Sequence, residues 1–114
     1  MTDFNEVFAA LRTLMLAAGP TMIVARDDAG DLVLHESGHD PKTGKPIWFG
    51  AVAIKKSYVA FHLFPLYEQP ALGDAISPAL AKRRQGKSCF NFKTIEPDLF
   101  DELAALTHRA ANTA

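Results

Sequence analysis

The sequence predicts a single domain of the α+β class, and three observations lead to this prediction. The chain has 114 residues, which is the usual size of one compact domain and too few for two substantial cores. Apolar residues recur at helical spacing near both ends of the chain. Between the ends lie short runs rich in β-branched and aromatic residues, separated by turn residues. We therefore expect residues 1–114 to form one domain with terminal helices and a mostly antiparallel sheet.

The first two predicted elements are a helix and a hairpin. In TDFNEVFAALRTLMLAAG the apolar residues follow a helical repeat, with Thr2 or Asp3 as the cap and Gly19-Pro20 as the stop. The next two runs, TMIVAR and DLVLHE, are short and rich in β-branched residues. Because the segment DDAGD between them supplies turn residues, we expect these two strands to form a hairpin.

Two further strands are predicted at the centre of the sheet. A loop from Ser37 to Pro46 leads into IWFGAVAI, and YVAFHLF follows after Lys55-Lys56-Ser57. Both strands are apolar on both faces, and simple alternation places Trp48 and Val52 on the same face of the first strand. A sheet with one wet face alternates apolar and polar residues, so helices, a pocket or another subunit must cover the second face. A homodimer is therefore one of the expected assemblies.

The last third of the chain is predicted to form a short helix, a strand and a closing helix. Ser77 stands at a natural N-cap, Pro78 at the first helical position and Gly86 just past the end of PALAKRRQ. The run SCFNF alternates as a strand. The segment EPDLFDELAALTHRAA opens with Pro97 and carries its leucines and Phe100 on one face, which predicts a helix.

The segment from Leu34 to His39 contains His-Glu-x-x-His, the spacing that places two imidazoles around one metal in zinc peptidases. That spacing works only on a helix, where residues i and i+4 share a face. Here Gly38 interrupts the segment, Pro41 follows it, and the preceding residues alternate as in a strand. We therefore predict a strand end that runs into a polar loop, and we assign no metal and no cofactor.

A basic cluster is the most prominent charge feature of the sequence. It consists of Lys82, Arg83, Arg84, Lys87 and Lys93, with no acid between them. Cations in the last turn of a helix are stabilised by its dipole, which accounts for several of them without a ligand. Arginine and lysine side chains that converge at a helix-to-strand corner can also hold a phosphate or carboxylate. The candidate residues for such an anion site are Arg83, Arg84 and Lys87.

Acidic residues gather near the start of the closing helix. Carboxylates near a helix N-terminus are stabilised by the helix dipole, which gives them a structural role. The alternative is a cation-binding surface that acidic residues of the first helix would extend. The residues concerned are Glu96, Asp98, Asp101 and Glu102, with Asp3 and Glu6 from the first helix.

Cys89 and His62 are the candidates for reactive groups. The chain has one cysteine, which cannot form an internal disulfide. The neighbouring Lys87 would lower the pKa of the Cys89 thiol, but a nucleophile also needs a positioned base, and His62 is the candidate in a central strand. We expect Cys89 to be a small packing residue, and we assign no catalytic residue.

Two stretches of the chain resemble a known family. They are WFGAVAIKKSYVAFHLFPLY and LAKRRQGKSCFNFKTIEPDLFDELAALT, which contain an aromatic strand entering KK, a GKS-F-F strand and a closing P-LF-EL helix. Over Ile47 to Thr107 the chain resembles the YdhG-like family of small bacterial proteins, a domain of unknown function. The resemblance implies a two-layer α+β domain whose antiparallel sheet packs against N- and C-terminal helices. It implies no established reaction, and some relatives are labelled frataxin-like iron chaperones.

Charge and composition narrow the expected functions. Twelve Lys and Arg against 13 Asp and Glu give a net charge of −1, so no overall positive field attracts nucleic acid. No apolar run would span a bilayer and no secretion signal starts the chain, so we expect a cytoplasmic protein without a membrane partner. The leading hypothesis is a non-enzymatic binding module with an anion site. The alternatives are a frataxin-like iron carrier and an enzyme that uses His62 or Cys89 on a phosphorylated or carboxylated small molecule.

Overall fold

The computed structural model describes residues 3–18 and 22–113, which form four α-helices, one 3₁₀ turn and six strands. The helices are α1 (Phe4–Ala18), α2 (Pro65–Glu68), α3 (Pro78–Ala81) and α4 (Pro97–Thr113), and the 3₁₀ turn is Pro70–Gly73. The strands are β1 (Ile23–Asp28), β2 (Asp31–His39), β3 (Pro46–Ile54), β4 (Val59–Leu63), β5 (Arg84–Gln85) and β6 (Cys89–Phe92).

The described strands form one sheet in the order β1-β2-β3-β4-β6-β5, and all neighbouring strands are antiparallel. The predicted hairpin and the predicted central pair are both present. Strand β5 was not predicted, because its residues were assigned to the end of a helix. That helix stops at Ala81, and Gly86 then adopts a φ of 70°, which turns the chain so that Gln85 pairs with Cys89.

The two long helices pack side by side on one face of the sheet. Met15 of α1 lies directly above Gly50 of β3, where an added Cβ would come within 2.6 Å of the terminal methyl group of the methionine. Phe100 of α4 contacts Phe92 of β6 edge to face, with ring centroids 4.9 Å apart. The fully buried aromatic side chains are Phe49, Phe61, Phe90 and Phe92. The prediction of an α+β domain with terminal helices on an antiparallel sheet is confirmed.

A register shift in β3 changes which residues share a face. Between two consecutive residue pairs, β2 advances by one residue while β3 advances by two. Phe49 therefore has no partner in β2 and forms a β-bulge. Phe49 is fully buried, whereas Trp48 is 50% exposed and contacts the ring of Phe64. The prediction that Trp48 shares a face with Val52 is therefore wrong, because the bulge breaks the two-residue period of the strand.

The loop between β2 and β3 is shorter than predicted. The sequence places it at Ser37 to Pro46, but β2 continues to His39 and β3 already begins at Pro46. The amide of Asp40 donates to the carbonyl of Lys45 at 2.8 Å, which closes a tight turn. The two strands are therefore longer and reach beyond the residues with a strand-like sequence pattern.

Two helix ends follow the predicted capping pattern. The Ser77 hydroxyl accepts a hydrogen bond from the Leu80 amide at 3.2 Å, as expected of an N-cap. The Asp3 carboxylate accepts one from the Asn5 amide at 2.8 Å ahead of α1. The predicted cap Thr2 and the predicted stop Gly19-Pro20 lie outside the described residues. Within the described ranges, no helix combines the length and the apolar character needed to cross a membrane.

Candidate anion site

A cavity of about 550 Å³ lies where the segment after α3, strands β5 and β6, and the start of α4 come together. This volume is within the range of roughly 300–1,000 Å³ that is typical of small-molecule sites. The residues that line it are Tyr58, Lys82, Arg83, Arg84, Gln85, Asn91, Lys93, Thr94 and Glu96. We call this cavity the basic pocket.

Local hydrogen bonds hold the walls of the basic pocket together. The Asn91 amide donates to the Arg83 carbonyl at 2.8 Å, which joins β6 to the segment after α3. The Arg84 guanidinium donates from Nε and Nη2 to the carbonyl of Lys87, at 3.0 and 2.5 Å, which fastens the β5–β6 turn. As a result, cations from two separate segments, residues 82–84 and residue 93, line one cavity.

Arg83 and Glu96 form a two-pronged ion pair in the wall of the basic pocket. The Nε–Oε2 and Nη2–Oε1 distances are both 2.8 Å, and the Glu96 side chain is 23% exposed. The hydrogen bonds and the charge of Glu96 raise the pKa of Arg83, so the guanidinium stays protonated. The pair uses the fork geometry in which arginine binds carboxylates and phosphates.

The basic pocket keeps a surplus of positive charge. Four cationic side chains and one carboxylate line it, which leaves three positive charges in surplus. Lys82 and Lys93 are exposed, and neither forms an ion pair with another described residue. Because a concave site focuses the field of its charges, these cations attract anions more strongly than the same groups on a flat surface.

Two of the three residues predicted for the anion site line the basic pocket. They are Arg83 and Arg84, whereas Lys87 lies outside the lining and contributes its carbonyl to the turn. Lys82 and Lys93 complete the cationic lining instead. Both belong to the basic cluster of the sequence, but the β5–β6 turn brings them to one cavity, and that turn was not predicted.

His62 and Cys89 lie outside the basic pocket, side by side on the sheet as register partners of β4 and β6. The His62 Nε2 and the Ser88 Oγ are 2.5 Å apart, and the imidazole stacks on Phe64 with centroids 4.2 Å apart. Burial lowers the pKa of His62. Burial also raises the pKa of Cys89, against a smaller opposing effect of Lys55. The thiol is therefore protonated at neutral pH and is a poor nucleophile.

Three acidic residues of the predicted cation-binding surface make structural contacts, and one of them is Asp3, the cap of α1. Glu102 accepts hydrogen bonds from the Ser77 amide at 2.7 Å and from the Ser77 hydroxyl at 2.6 Å. Glu96 is bound to Arg83. Among residues 3–18 and 22–113, no three His, Cys, Asp or Glu side chains come together as metal ligands. The iron-carrier alternative stays a prediction.

The His-Glu-x-x-His segment is extended rather than helical, since His35, Glu36 and His39 all belong to β2. Four residues along a strand span roughly 13 Å, which is too far for two imidazoles to share one metal ion. Glu36 lines a second cavity, of about 370 Å³, together with Asp40 and Glu68. Burial, and to a smaller extent the charge of Glu68, raises the pKa of Glu36. Sequence reasoning missed this acidic cavity because Glu68 comes from a distant segment.

Comparisons with known proteins leave the family of the chain open. No family model matches it, and no match is found among curated proteins or among solved structures. The YdhG-like assignment therefore rests on the motifs within residues 47–107 and stays a prediction.

Proposed function

We propose that the protein is a cytoplasmic, non-enzymatic binding protein for a small anionic molecule, and that the basic pocket is its binding site. The observation that carries this proposal is a surplus of three positive charges around a cavity of small-molecule size. Phosphate and carboxylate groups are the partners that arginine forks and lysine ammonium groups bind in proteins. The ligand class is therefore phosphorylated or carboxylated small molecules.

The existing contacts give the four cations of the basic pocket different roles in anion binding. Arg84 donates two hydrogen bonds to a backbone carbonyl, so it supplies mainly a fixed positive charge. The fork of Arg83 is occupied by Glu96. Lys82 and Lys93 have no such partner in the described part of the chain, so their ammonium groups can bind a ligand without breaking an existing ion pair. We infer that these two lysines make the first contacts with the anion.

Membership of the YdhG-like family is a further part of this proposal. It is supported by the strand and helix motifs within residues 47–107. The α+β fold with terminal helices on an antiparallel sheet agrees with it. The assignment adds no reaction to the proposal.

A thermal-shift titration at constant ionic strength tests the proposed site. We expect pyrophosphate or citrate to raise the melting temperature, since a ligand at a hundred times its dissociation constant stabilises the folded state by about 2.7 kcal/mol. The substitutions Lys82→Gln and Lys93→Gln should each reduce this shift. Lys42→Gln is the matched control, because it removes the same charge from an exposed loop residue outside the pocket.

Two results would contradict the proposal. One is the absence of a shift with phosphate, pyrophosphate and citrate at millimolar concentration. The other is an equal loss of the shift in Lys93→Gln and in Lys42→Gln, which would mean that the anions only screen the overall charge.

A further inference from the structure

Within the basic pocket, the carboxylate of Glu96 occupies the position at Arg83 that a bound anion would take. Its two oxygens accept hydrogen bonds from Nε and Nη2 of the guanidinium, both at 2.8 Å. This is the two-pronged geometry in which arginine binds a free carboxylate or phosphate group. Among the described residues that line the pocket, Glu96 is the one carboxylate. It therefore stands where one anionic group of a ligand would bind.

The backbone of Arg83 is held in place by two hydrogen bonds. Its amide donates to the carbonyl of Leu80 at 2.9 Å, and its carbonyl accepts from the amide of Asn91 at 2.8 Å. Neither bond involves the guanidinium, so both can persist when the guanidinium changes its partner. The arginine fork therefore stays at the pocket whether Glu96 or another anion is bound to it.

The backbone of Glu96 is fixed as well, whereas its side chain borders on water. The Glu96 carbonyl accepts a hydrogen bond from the Phe100 amide at 2.8 Å, at the start of α4. Pro97 follows, and a proline restricts the backbone of the residue before it. The Glu96 side chain is 23% exposed, so rotation about its own bonds can turn the carboxylate into water. Release of Arg83 therefore requires no movement of α4.

The pair of Arg83 and Glu96 is of a kind that a suitable ligand can replace. The Arg83 side chain is 43% exposed, and exposed ion pairs contribute little net free energy because water solvates both groups when they separate. However, Glu96 is attached to the chain, so its carboxylate has a high effective concentration at the fork. A free anion with a single charged group competes poorly with it. A ligand that is already held elsewhere in the pocket presents its second group at a comparable effective concentration.

We propose that the ligand of the basic pocket carries two linked anionic groups, and that one of them displaces Glu96 from Arg83. The other group binds Lys82 and Lys93, which form no ion pair with another described residue and so offer no competitor. This inference rests on the proposed function of the basic pocket and narrows its ligand class. That class is small molecules with two phosphate groups, two carboxylate groups or one of each.

The charges of the basic pocket agree with a ligand of this class. Four cationic side chains line the pocket, and once Glu96 turns into water no carboxylate of the lining faces them. Two linked anionic groups neutralise more of this charge than a single group does. Glu96 is then a specificity-determining residue, because it excludes ligands whose one anionic group is already used by the lysines from the arginine fork.

Isothermal titration calorimetry of the full chain at constant ionic strength tests the role of Arg83. Pyrophosphate is the probe with two linked groups, and inorganic phosphate is the probe with one. Arg83→Lys keeps the positive charge but removes the fork. We expect this variant to bind pyrophosphate about tenfold more weakly than the wild type does. Its affinity for phosphate should stay nearly unchanged, because the lysines hold the single group.

Two variants of Glu96 test whether its carboxylate competes with the ligand. Glu96→Gln removes the competing charge and should tighten pyrophosphate binding by about tenfold. Glu96→Asp keeps the charge but shortens the side chain, which weakens the two-pronged pair, so it should tighten binding to a smaller extent. Asp98→Asn is the matched control, because it removes a negative charge from an exposed residue outside the pocket lining, and its effect should be smaller than that of either Glu96 variant. Circular dichroism establishes that each variant is folded.

Two outcomes of these titrations would overturn the displacement of Glu96. One is pyrophosphate binding that is as tight in Arg83→Lys as in the wild type, which would mean that the ligand does not use the fork. The other is equal tightening in Glu96→Gln and Asp98→Asn, which would mean that only the overall charge matters. In both cases the wild type still binds the anion, so the proposed function stands. If neither probe binds the wild type or Glu96→Gln, the proposed function fails together with this inference.

Discussion

The two faces of the sheet are filled in different ways. The helix face holds large side chains that are fully buried, such as Phe61 and Phe90, under α1 and α4. The opposite face of the sheet, which we call the open face, carries three alanines and His62 at its centre and exposed rings such as Trp48 at one end. The difference indicates that the helix face supplies most of the stability of the single chain, because its apolar side chains are removed from water.

The largest expected effect on stability comes from removing a buried ring from the helix face. Phe61→Ala removes a fully buried ring from the middle of β4, and we expect it to lower the free energy of unfolding by about 3–5 kcal/mol. Val33→Ala on the open face is the comparison, because Val33 is half-buried and lies in the same sheet. Urea denaturation at one protein concentration measures both. Equal losses in the two variants would contradict the proposed difference between the faces.

The division between the two faces was only partly predictable from the sequence. The terminal helices and the central strands follow from the spacing of apolar residues, which is a local property of the chain. The bulge at Phe49 depends on how β3 pairs with β2, so the exposure of Trp48 could not be read from alternation. Strict alternation is a sound guide only where the register is unbroken.

The anion site was also only partly predictable from the sequence. The sequence indicates the basic cluster and includes Arg83 and Arg84, which do line the pocket. It does not show that Lys93 reaches the same cavity while Lys87 is left out, because the β5–β6 turn decides this. That turn is stabilised by a hydrogen bond from a side chain to the backbone, and such bonds leave no periodic pattern in the sequence.

A smaller effect on stability is expected at the point where α1 comes closest to the sheet. Gly50→Ala places a methyl group 2.6 Å from the Met15 methyl and 3.2 Å from the His62 carbonyl oxygen, so the methionine must move. Met15 is fully buried, and we expect a loss of about 1–3 kcal/mol from overpacking. Urea denaturation of Gly50→Ala, Met15→Ala and the double variant measures the coupling.

The coupling distinguishes overpacking from a change in the strand itself. If the two side chains compete for space, the double variant should lose less stability than the sum of the single losses. Strict additivity would mean that Gly50→Ala acts through the backbone of β3 and that the close approach of α1 is not the cause. Gly38→Ala is a suitable control, since an added methyl group there meets no atom within 4 Å.

The smallest effect concerns the pH dependence of the free energy of unfolding, to which His62 of the open face contributes. Burial lowers the pKa of His62 below its ordinary value of 6.5, so the unfolded chain takes up a proton at a higher pH than the folded chain does. Well above pH 6.5 the imidazole is neutral in both states, so its titration takes nothing from the free energy of unfolding there. As the pH falls below that value, protonation of the unfolded chain lowers the free energy of unfolding, until the folded pKa is passed.

His62→Gln should reduce this pH dependence because it removes the titrating group and keeps a side chain that can bond to Ser88. Urea denaturation at about pH 7.5 and about pH 5.5 brackets the ordinary histidine pKa while most carboxylates stay ionised. His108→Gln, an exposed position of α4, should leave the difference between the two pH values unchanged. If His62→Gln and the wild type lose the same stability between these pH values, the half-buried imidazole is not the group that makes the open face sensitive to acid.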